Sequence, residues 1–169
     1  MSACSQVSQH SSANRVRPYA SSHQQGAWQY SQRRQLPQRP PLGTNNPTRK
    51  LMVRIAKSTL GAPYKWGGNN PQQGFDCSGL MTYIHKNALG LHIPRTAAQQ
   101  RDKSRTISYE QLQPGDMLFF KTSAKSNHVG IYIGERQFIH APSSGKRVHI
   151  SSMDSAYWYK RFVKFGTFL

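Results

Sequence analysis

Hydrophobic residues along the chain follow a helical spacing first and a strand-like spacing later. From Thr48 onward, apolar residues recur three or four positions apart, and Thr48 is placed to cap the helix that this spacing predicts. Gly61 and Pro63 mark the end of that helix. A second apolar stripe begins after Cys77 and stops at Gly90, which predicts a helix with Cys77 at its N-terminus.

Beyond Gln113 the pattern favours β-strands. Short runs rich in β-branched and aromatic residues follow one another between turn-forming segments. These runs are DMLFFK, HVGIYIG, RQFIHA, KRVHIS and KRFVKFGTFL. Helices followed by an antiparallel sheet predict one α+β domain over residues 48–169.

Residues 1–47 show neither spacing. They are rich in Ser, Gln and Pro and contain Arg but no acidic residue. This composition is typical of a chain that cannot bury enough apolar surface to fold. We therefore predict a disordered basic tether, with a basic arm that also binds an anionic surface as the alternative.

The formal net charge is +17, and all six acidic residues lie at or after Asp76. A charge of this size predicts an anionic partner, but it does not choose among nucleic acid, anionic lipid and an acidic polymer. No apolar run approaches the roughly 18 residues that a membrane-spanning helix needs.

The opening MSACSQ resembles the end of a bacterial lipoprotein signal, where small residues precede a cysteine that becomes lipidated. On this interpretation acyl chains at Cys4 hold the protein on a membrane, and the rest of the export signal has been removed. An ordinary tail cysteine is the alternative. Two cysteines so far apart do not form a disulfide framework.

Cys77 is a candidate nucleophile because of its place at a predicted helix N-terminus. Unpaired backbone N–H groups and the positive end of the helix dipole favour thiolate over thiol. Cysteines in such positions can have pKa values of about 3.5 to 7.5 instead of about 8.5. We therefore predict a lowered pKa, although a buried structural cysteine is the common alternative.

A thiol nucleophile needs a proton acceptor, which usually needs a third group to orient it. His128 and His140 lie in predicted strands, and Gly130 leaves room beside His128. The close Cys or His pairs usual in zinc sites are missing, so we favour thiol catalysis over a metal site. We expect no metal and no organic cofactor.

The two histidines can meet only if the intervening hairpin has the right register. A two-residue turn at Glu135 and Arg136 would put their side chains on opposite faces of the sheet. A three-residue loop that also includes Gly134, or a bulge with the same effect, puts them on one face. We predict the three-residue loop, with Gly134 or Arg136 in an unusual backbone conformation.

Six segments carry a resemblance to a known family. They are GAPYKWGG, GFDCSGL, LHIPRTAAQQ, LQPGDMLFF, NHVGIYIG and QFIHAPSSG, in this order. Together they resemble the NlpC/p-sixty family of bacterial cell-wall cysteine peptidases, with a closer likeness to single-domain murein endopeptidase lipoproteins of the Spr/MepS type. The resemblance covers residues 49–169.

The resemblance implies a papain-like fold with Cys77 as nucleophile, His128 as base and His140 as the third member of a triad. It implies that the Tyr64 hydroxyl and the Cys77 backbone N–H lie near the oxyanion position.

Three further residues match positions of the family's motifs. Asp76 and Ser78 match positions that line the substrate cleft. Arg95 matches a position whose role is structural or substrate-anion binding.

The resemblance also implies a substrate and a location. The substrate would be the peptide part of peptidoglycan, cut at the D-Ala to meso-diaminopimelate crosslink by a monomer. The location would be the bacterial periplasm, with Cys4 anchored in the outer membrane.

Other functions stay open. The cut could fall between D-Glu and diaminopimelate, or the domain could be an amidase toxin. The alternative that is not an enzyme is a basic module that binds nucleic acid or anionic glycan, in which the thiol has no catalytic role. As the partner, we favour peptidoglycan over nucleic acid.

Overall fold

The computed structural model describes residues 46–143 and 145–169. The predicted tether lies almost wholly outside these described residues, as does Cys4. The elements are α1 (Pro47–Ser58), β1 (Asn69–Asn70), β2 (Gly74–Phe75), α2 (Cys77–Leu89), α3 (Ala97–Lys103), β3 (Arg105–Ile107), a 3₁₀ turn (Tyr109–Gln111), β4 (Met117–Lys121), β5 (Asn127–Gly134), β6 (Gln137–His140), β7 (His149–Ser152), α4 (Ala156–Tyr159) and β8 (Phe162–Thr167).

The residue that caps helix α1 lies two positions before the predicted cap. The Asn46 side chain accepts hydrogen bonds from the backbone N–H groups of Thr48, at 2.9 Å, and Arg49, at 3.3 Å. Pro47 occupies the start of the helix, where its missing N–H has no intrahelical partner to lose. The prediction that Thr48 caps this helix is therefore wrong, because Asn46 does so.

Helix α2 has the predicted bounds. Asp76 caps its N-terminus through a hydrogen bond from the Gly79 N–H, and Gly90 ends it in the left-handed region with φ 65°. Helix α3 was not predicted, since only Ala97 and Gln100 of its seven residues are buried and they form no apolar stripe.

The six-stranded sheet has the order β3-β8-β4-β5-β6-β7, and its paired strands are antiparallel. Each of the five predicted runs overlaps one of its strands, and the predicted α+β class is confirmed. Strand β3 is only three residues long and was missed.

Strand β4 separates two apolar cores. Met117 and Phe119 belong to the core that α1 and α2 cover. Leu118 and Phe120 belong to a second core on the other face of the sheet, which Trp158 helps to cover. The alternation of β4 side chains thus serves both cores.

The β5–β6 hairpin brings the two predicted catalytic histidines to one face. Ile131 pairs with Ile139, but Gly134 pairs with Gln137, so a bulge lies between Tyr132 and Gly134. The predicted three-residue loop is therefore wrong, and the bulge has the same effect on register.

The turn itself is made by two residues with left-handed backbone. Glu135 has φ 51° and Arg136 has φ 59°, while the preceding Gly134 has φ 99°. Positive φ at both central residues is what a type I′ hairpin turn requires. The unusual conformation predicted for Gly134 or Arg136 is present at both.

Candidate active site

Cys77 is the first residue of α2, partly exposed, with its sulfur next to the backbone N–H of Val129. That N–H and those of Cys77 and Ser78 favour the thiolate. Burial and the charge of Asp76 oppose them, and burial is the largest effect, so the pKa of Cys77 is raised to about 11. The predicted lowering is wrong because desolvation outweighs the helix N-terminus, and Cys77 rests as a thiol.

The Asp76 carboxylate joins three segments around Cys77. Its Oδ1 accepts hydrogen bonds from the Gly79 N–H, the Ser78 hydroxyl and Arg95 Nη1. Its Oδ2 accepts from the Gly67 N–H at 2.9 Å and from Arg95 Nη2 at 2.7 Å. Burial acts to raise the pKa of Asp76, but the hydrogen bonds from Arg95 and Gly79 outweigh it and leave the pKa lowered. A charged Asp76 therefore fixes the helix start.

Ser78 and Arg95 complete this arrangement. Arg95 Nη1 also donates to the Ser78 hydroxyl at 3.0 Å, so one guanidinium holds two neighbouring side chains. Asp76 and Ser78 are only 8% and 5% exposed, whereas the Arg95 side chain is 40% exposed. Of the three, Arg95 has the most surface left for a ligand, and the cleft-lining roles of Asp76 and Ser78 stay predictions.

Tyr64 lies close enough to Cys77 and Asp76 for their charges to affect it. Burial, followed by Cys77 and then Asp76, raises the pKa of its hydroxyl, which therefore stays protonated and able to donate. A backbone bridge between Tyr64 and Phe75 places it beside the segment that leads into the nucleophile.

The histidine pair is buried on the face of the sheet that carries the second core. His128 Nε2 lies 2.9 Å from His140 Nδ1, and His140 Nε2 lies 2.9 Å from the Ser151 hydroxyl. Burial is the largest cause that lowers the pKa of His128 to about 4 and that of His140 to about 2. Both rings are neutral at neutral pH, and the contact within the pair occupies Nε2 of His128, so Nδ1 is the ring nitrogen that lies outside the pair.

Trp158 covers the histidine pair and was not identified from the sequence. Its indole stacks on His128 with ring centroids 5.2 Å apart, and it meets the His140 ring edge-on at 4.9 Å. No sequence signal points to it, because α4 reaches the pair only through the tertiary fold. Ser151 was also missed, although its spacing from His149 on β7 gives a weak signal.

The space beside Gly130 is filled by the aromatic ring of Phe138. A Cβ at this position would lie 2.5 Å from Phe138 Cδ2 and 3.1 Å from the Ile139 carbonyl oxygen. Phe138 in turn contacts His140, with ring centroids 5.0 Å apart. The room beside His128 is therefore taken by Phe138.

The two halves of the site meet at Val129, the residue after His128. The helix side consists of Tyr64, Asp76, Cys77, Ser78 and Arg95, and the sheet side consists of His128, His140, Ser151 and Trp158. The arrangement provides a thiol, a neutral imidazole and several hydrogen-bond donors, which are the groups that nucleophilic attack on an amide requires.

Among residues 46–143 and 145–169, no cluster of His, Cys, Asp or Glu could hold a metal ion. Within the same ranges, no helix has the length and apolar character needed to cross a bilayer.

Comparison with known families identifies the family of this chain. Residues 61–167 match the model of the NlpC/P60 family. The chain belongs to the NlpC/P60 family. The resemblance noted from the six sequence segments is thereby confirmed.

Three curated relatives of this NlpC/P60 chain illustrate its similarity. It is 40% identical over 119 residues to murein DD-endopeptidase MepH of Escherichia coli K12, covering 68% of this chain and 44% of that protein. It is 39% identical over 102 residues to murein DD-endopeptidase MepS/murein LD-carboxypeptidase of the same strain, covering 60% and 53%. It is 38% identical over 114 residues to gamma-DL-glutamyl hydrolase of Bacillus subtilis, covering 66% and 27%.

A solved structure shows the same fold. The NlpC/p60 domain of the peptidoglycan hydrolase SagA superposes with a TM-score of 0.61 at 32% identity, covering 70% of this chain and 97% of that domain. By contrast, the chain spans only about a quarter to a half of the lengths of the three curated relatives.

Proposed function

We propose that this NlpC/P60 chain is a peptidoglycan endopeptidase that hydrolyses a stem-peptide amide with Cys77, His128 and His140 as its triad. The observation that carries the proposal is the geometry at Val129. Its N–H lies against the Cys77 sulfur, and the preceding residue, His128, is hydrogen-bonded to His140. The relatives named as murein endopeptidases support the substrate class.

The reaction begins from a neutral thiol and a neutral imidazole. His128 Nδ1 takes the thiol proton as the Cys77 sulfur attacks the amide carbonyl carbon, which forms a tetrahedral intermediate. His128 then gives that proton to the leaving amine, the C–N bond breaks, and an acyl-enzyme remains. Water, deprotonated by His128, attacks the thioester and releases the acid and the thiol.

The developing oxyanion needs preorganised donors. The protonated Tyr64 hydroxyl and the Cys77 backbone N–H are the donors that we assign to it. Arg95, with its partly exposed guanidinium, is suited to bind a substrate carboxylate beside the nucleophile. Asp76 and Ser78 support this edge of the substrate cleft by holding Arg95.

The scissile bond that we favour is the D-Ala to meso-diaminopimelate crosslink, because MepH and MepS are both named DD-endopeptidases. Cleavage between D-Glu and diaminopimelate is the second candidate. The similarity to a gamma-DL-glutamyl hydrolase favours that alternative.

The decisive experiment is the digestion of peptidoglycan followed by mass analysis of the released muropeptides. Wild-type protein should convert crosslinked dimers to monomers, while Cys77→Ala should release nothing. Cys4→Ser is the matched control, because it removes the other cysteine and should digest normally. Products cut between D-Glu and diaminopimelate would instead assign the protein to that bond and not to the D-Ala to meso-diaminopimelate crosslink.

A salt titration separates catalysis from binding by charge alone. A basic module that binds nucleic acid or anionic glycan would lose affinity steeply with salt and would not respond to Cys77→Ala. Hydrolysis that persists in Cys77→Ala would overturn the proposal.

The location that fits this activity is the periplasm, with an outer-membrane anchor at Cys4 and a monomeric domain. With a natural leader restored, the protein should incorporate labelled palmitate in bacteria. Cys4→Ser should abolish labelling and release the protein from the membrane fraction.

A further inference from the structure

The hydrogen-bonded chain that starts at His128 does not end at His140. His140 Nδ1 faces His128, and His140 Nε2 lies 2.9 Å from the Ser151 hydroxyl oxygen. Ser151 is on β7, where its neighbour His149 pairs directly with His140 and Ser151 lies diagonally across on the same face. The sheet register therefore aims this hydroxyl at the outer nitrogen of the buried pair.

The direction of this chain matters for proton transfer. Nδ1 of His128 can accept the thiol proton only when the ring carries its own proton on Nε2. That proton then donates to His140 Nδ1, so a neutral His140 must carry its proton on Nε2 and needs an acceptor there. The Ser151 hydroxyl oxygen is that acceptor, and its own O–H is left to point toward solvent because Ser151 is partly exposed.

The opposite direction would block the reaction. If Ser151 donated to His140 Nε2, then His140 Nδ1–H would donate to His128 Nε2, and the His128 proton would sit on Nδ1. With Nδ1 already protonated and Nε2 accepting from His140, His128 would have no free nitrogen for the thiol proton. Only the chain that donates outward, from His128 to His140 to Ser151, accommodates the charged ring.

Other groups around His140 do not provide this acceptor. His149 meets the His140 ring at a centroid distance of 4.6 Å, but its Nδ1 is bonded to the Arg147 carbonyl. Trp158 and Phe138 contact the ring through their aromatic surfaces, and the nearby Lys146 can only donate.

We propose that Ser151 is a positioning residue that extends the triad to a four-membered chain by accepting from His140 Nε2–H. It thereby selects the His128 tautomer whose Nδ1 is free to receive the Cys77 proton. This inference rests on the proposed function for its catalytic consequence, but the tautomer itself is a property of the resting protein.

The test compares three variants of the full chain: Ser151→Ala, Ser151→Thr and Ser152→Ala. Ser151→Thr keeps the hydroxyl, and Ser152→Ala makes the same chemical change one residue along the strand. Nitrogen-15 NMR of the imidazole rings reports which nitrogen of His128 and His140 carries the proton. Steady-state hydrolysis of soluble muropeptide dimers reports kcat and KM, and thermal unfolding reports stability.

Ser151→Ala should increase the fraction of His128 protonated on Nδ1 and lower kcat about tenfold with little change in KM. Ser151→Thr should restore both readouts, and Ser152→Ala should resemble wild type in both. Unchanged tautomers in Ser151→Ala would overturn the inference, whatever the activity. If the wild-type chain hydrolyses nothing while the tautomer shift occurs, the proposed function fails and the role of Ser151 in orienting the pair stands.

Discussion

His128 and His140 are hydrogen-bonded, Nε2 to Nδ1 at 2.9 Å, because a bulge before Gly134 shifts the register of the β5–β6 hairpin by one residue. Without the bulge, the two-residue turn would put the rings on opposite faces of the sheet. The contact thus depends on backbone geometry several residues away from either ring.

Replacing His128 tests its role as base. His128→Ala should lower kcat by about 100- to 10,000-fold, the usual contribution of a general base. His92→Ala is a suitable control, because that histidine is exposed and lies just after α2, away from β5 and β6, which carry the pair. Turnover of His128→Ala at the control's level would remove His128 from the mechanism.

The raised pKa of Cys77 predicts its reactivity. In a Cys4→Ser background, alkylation by iodoacetamide should be slow at pH 6 and should rise toward pH 11, where the thiolate forms. An ordinary thiol would reach half its maximal rate near pH 8.5. A profile that is already at its plateau at pH 6 would show that the helix N-terminus outweighs burial after all.

Stability should decrease when the solution is made acidic, because the buried histidines resist protonation. The pKa of His128 is about 4 in the fold, whereas an unperturbed ring has a pKa of about 6.5, so the unfolded chain binds more protons between these values. The free energy of unfolding should therefore fall as pH drops through this window, by about 1.4 kcal/mol per pH unit for each such histidine. Denaturant unfolding of wild type and His128→Asn measures this, and an equally steep dependence in the variant would contradict it.

Gly130 should tolerate no larger residue. Gly130→Ala puts a Cβ 2.5 Å from Phe138 Cδ2 and should destabilise the fold by about 1–3 kcal/mol. Because Phe138 contacts His140, kcat should fall as well. The double variant Gly130→Ala with Phe138→Leu should recover part of the stability, whereas strictly additive losses would show that the two sites do not interact.

Local signals in the sequence were sufficient for much of the fold. The apolar stripe from Cys77 to Gly90 and the alternation in β5 predicted their elements correctly, because neighbours within each element determine its period. Helix α3 was not predicted, because its two buried residues, Ala97 and Gln100, do not form an apolar stripe. The miss at the start of α1 was avoidable, because Asn ranks above Thr as a cap and Pro47 suits the first helical position.

The electrostatics of the site depended on contacts between distant segments. The sequence placed Cys77 at a helix N-terminus correctly, but the burial that raises its pKa arises only when the folded chain packs around it. Trp158 reaches the histidine pair from α4, which no local pattern indicates, and for Ser151 the spacing from His149 is only a weak signal.

The Asp76 carboxylate also couples the local opening of the segments around Cys77. It holds the Gly67 amide in one segment, the Gly79 amide in another and both arms of Arg95 in a third. Opening any one of the three segments removes hydrogen bonds from the buried Asp76 carboxylate. The amide hydrogens of Gly67 and Gly79 should therefore exchange with solvent at a common free energy of opening, as one cooperative unit. A stem peptide would then meet a rigid, preassembled edge of the cleft.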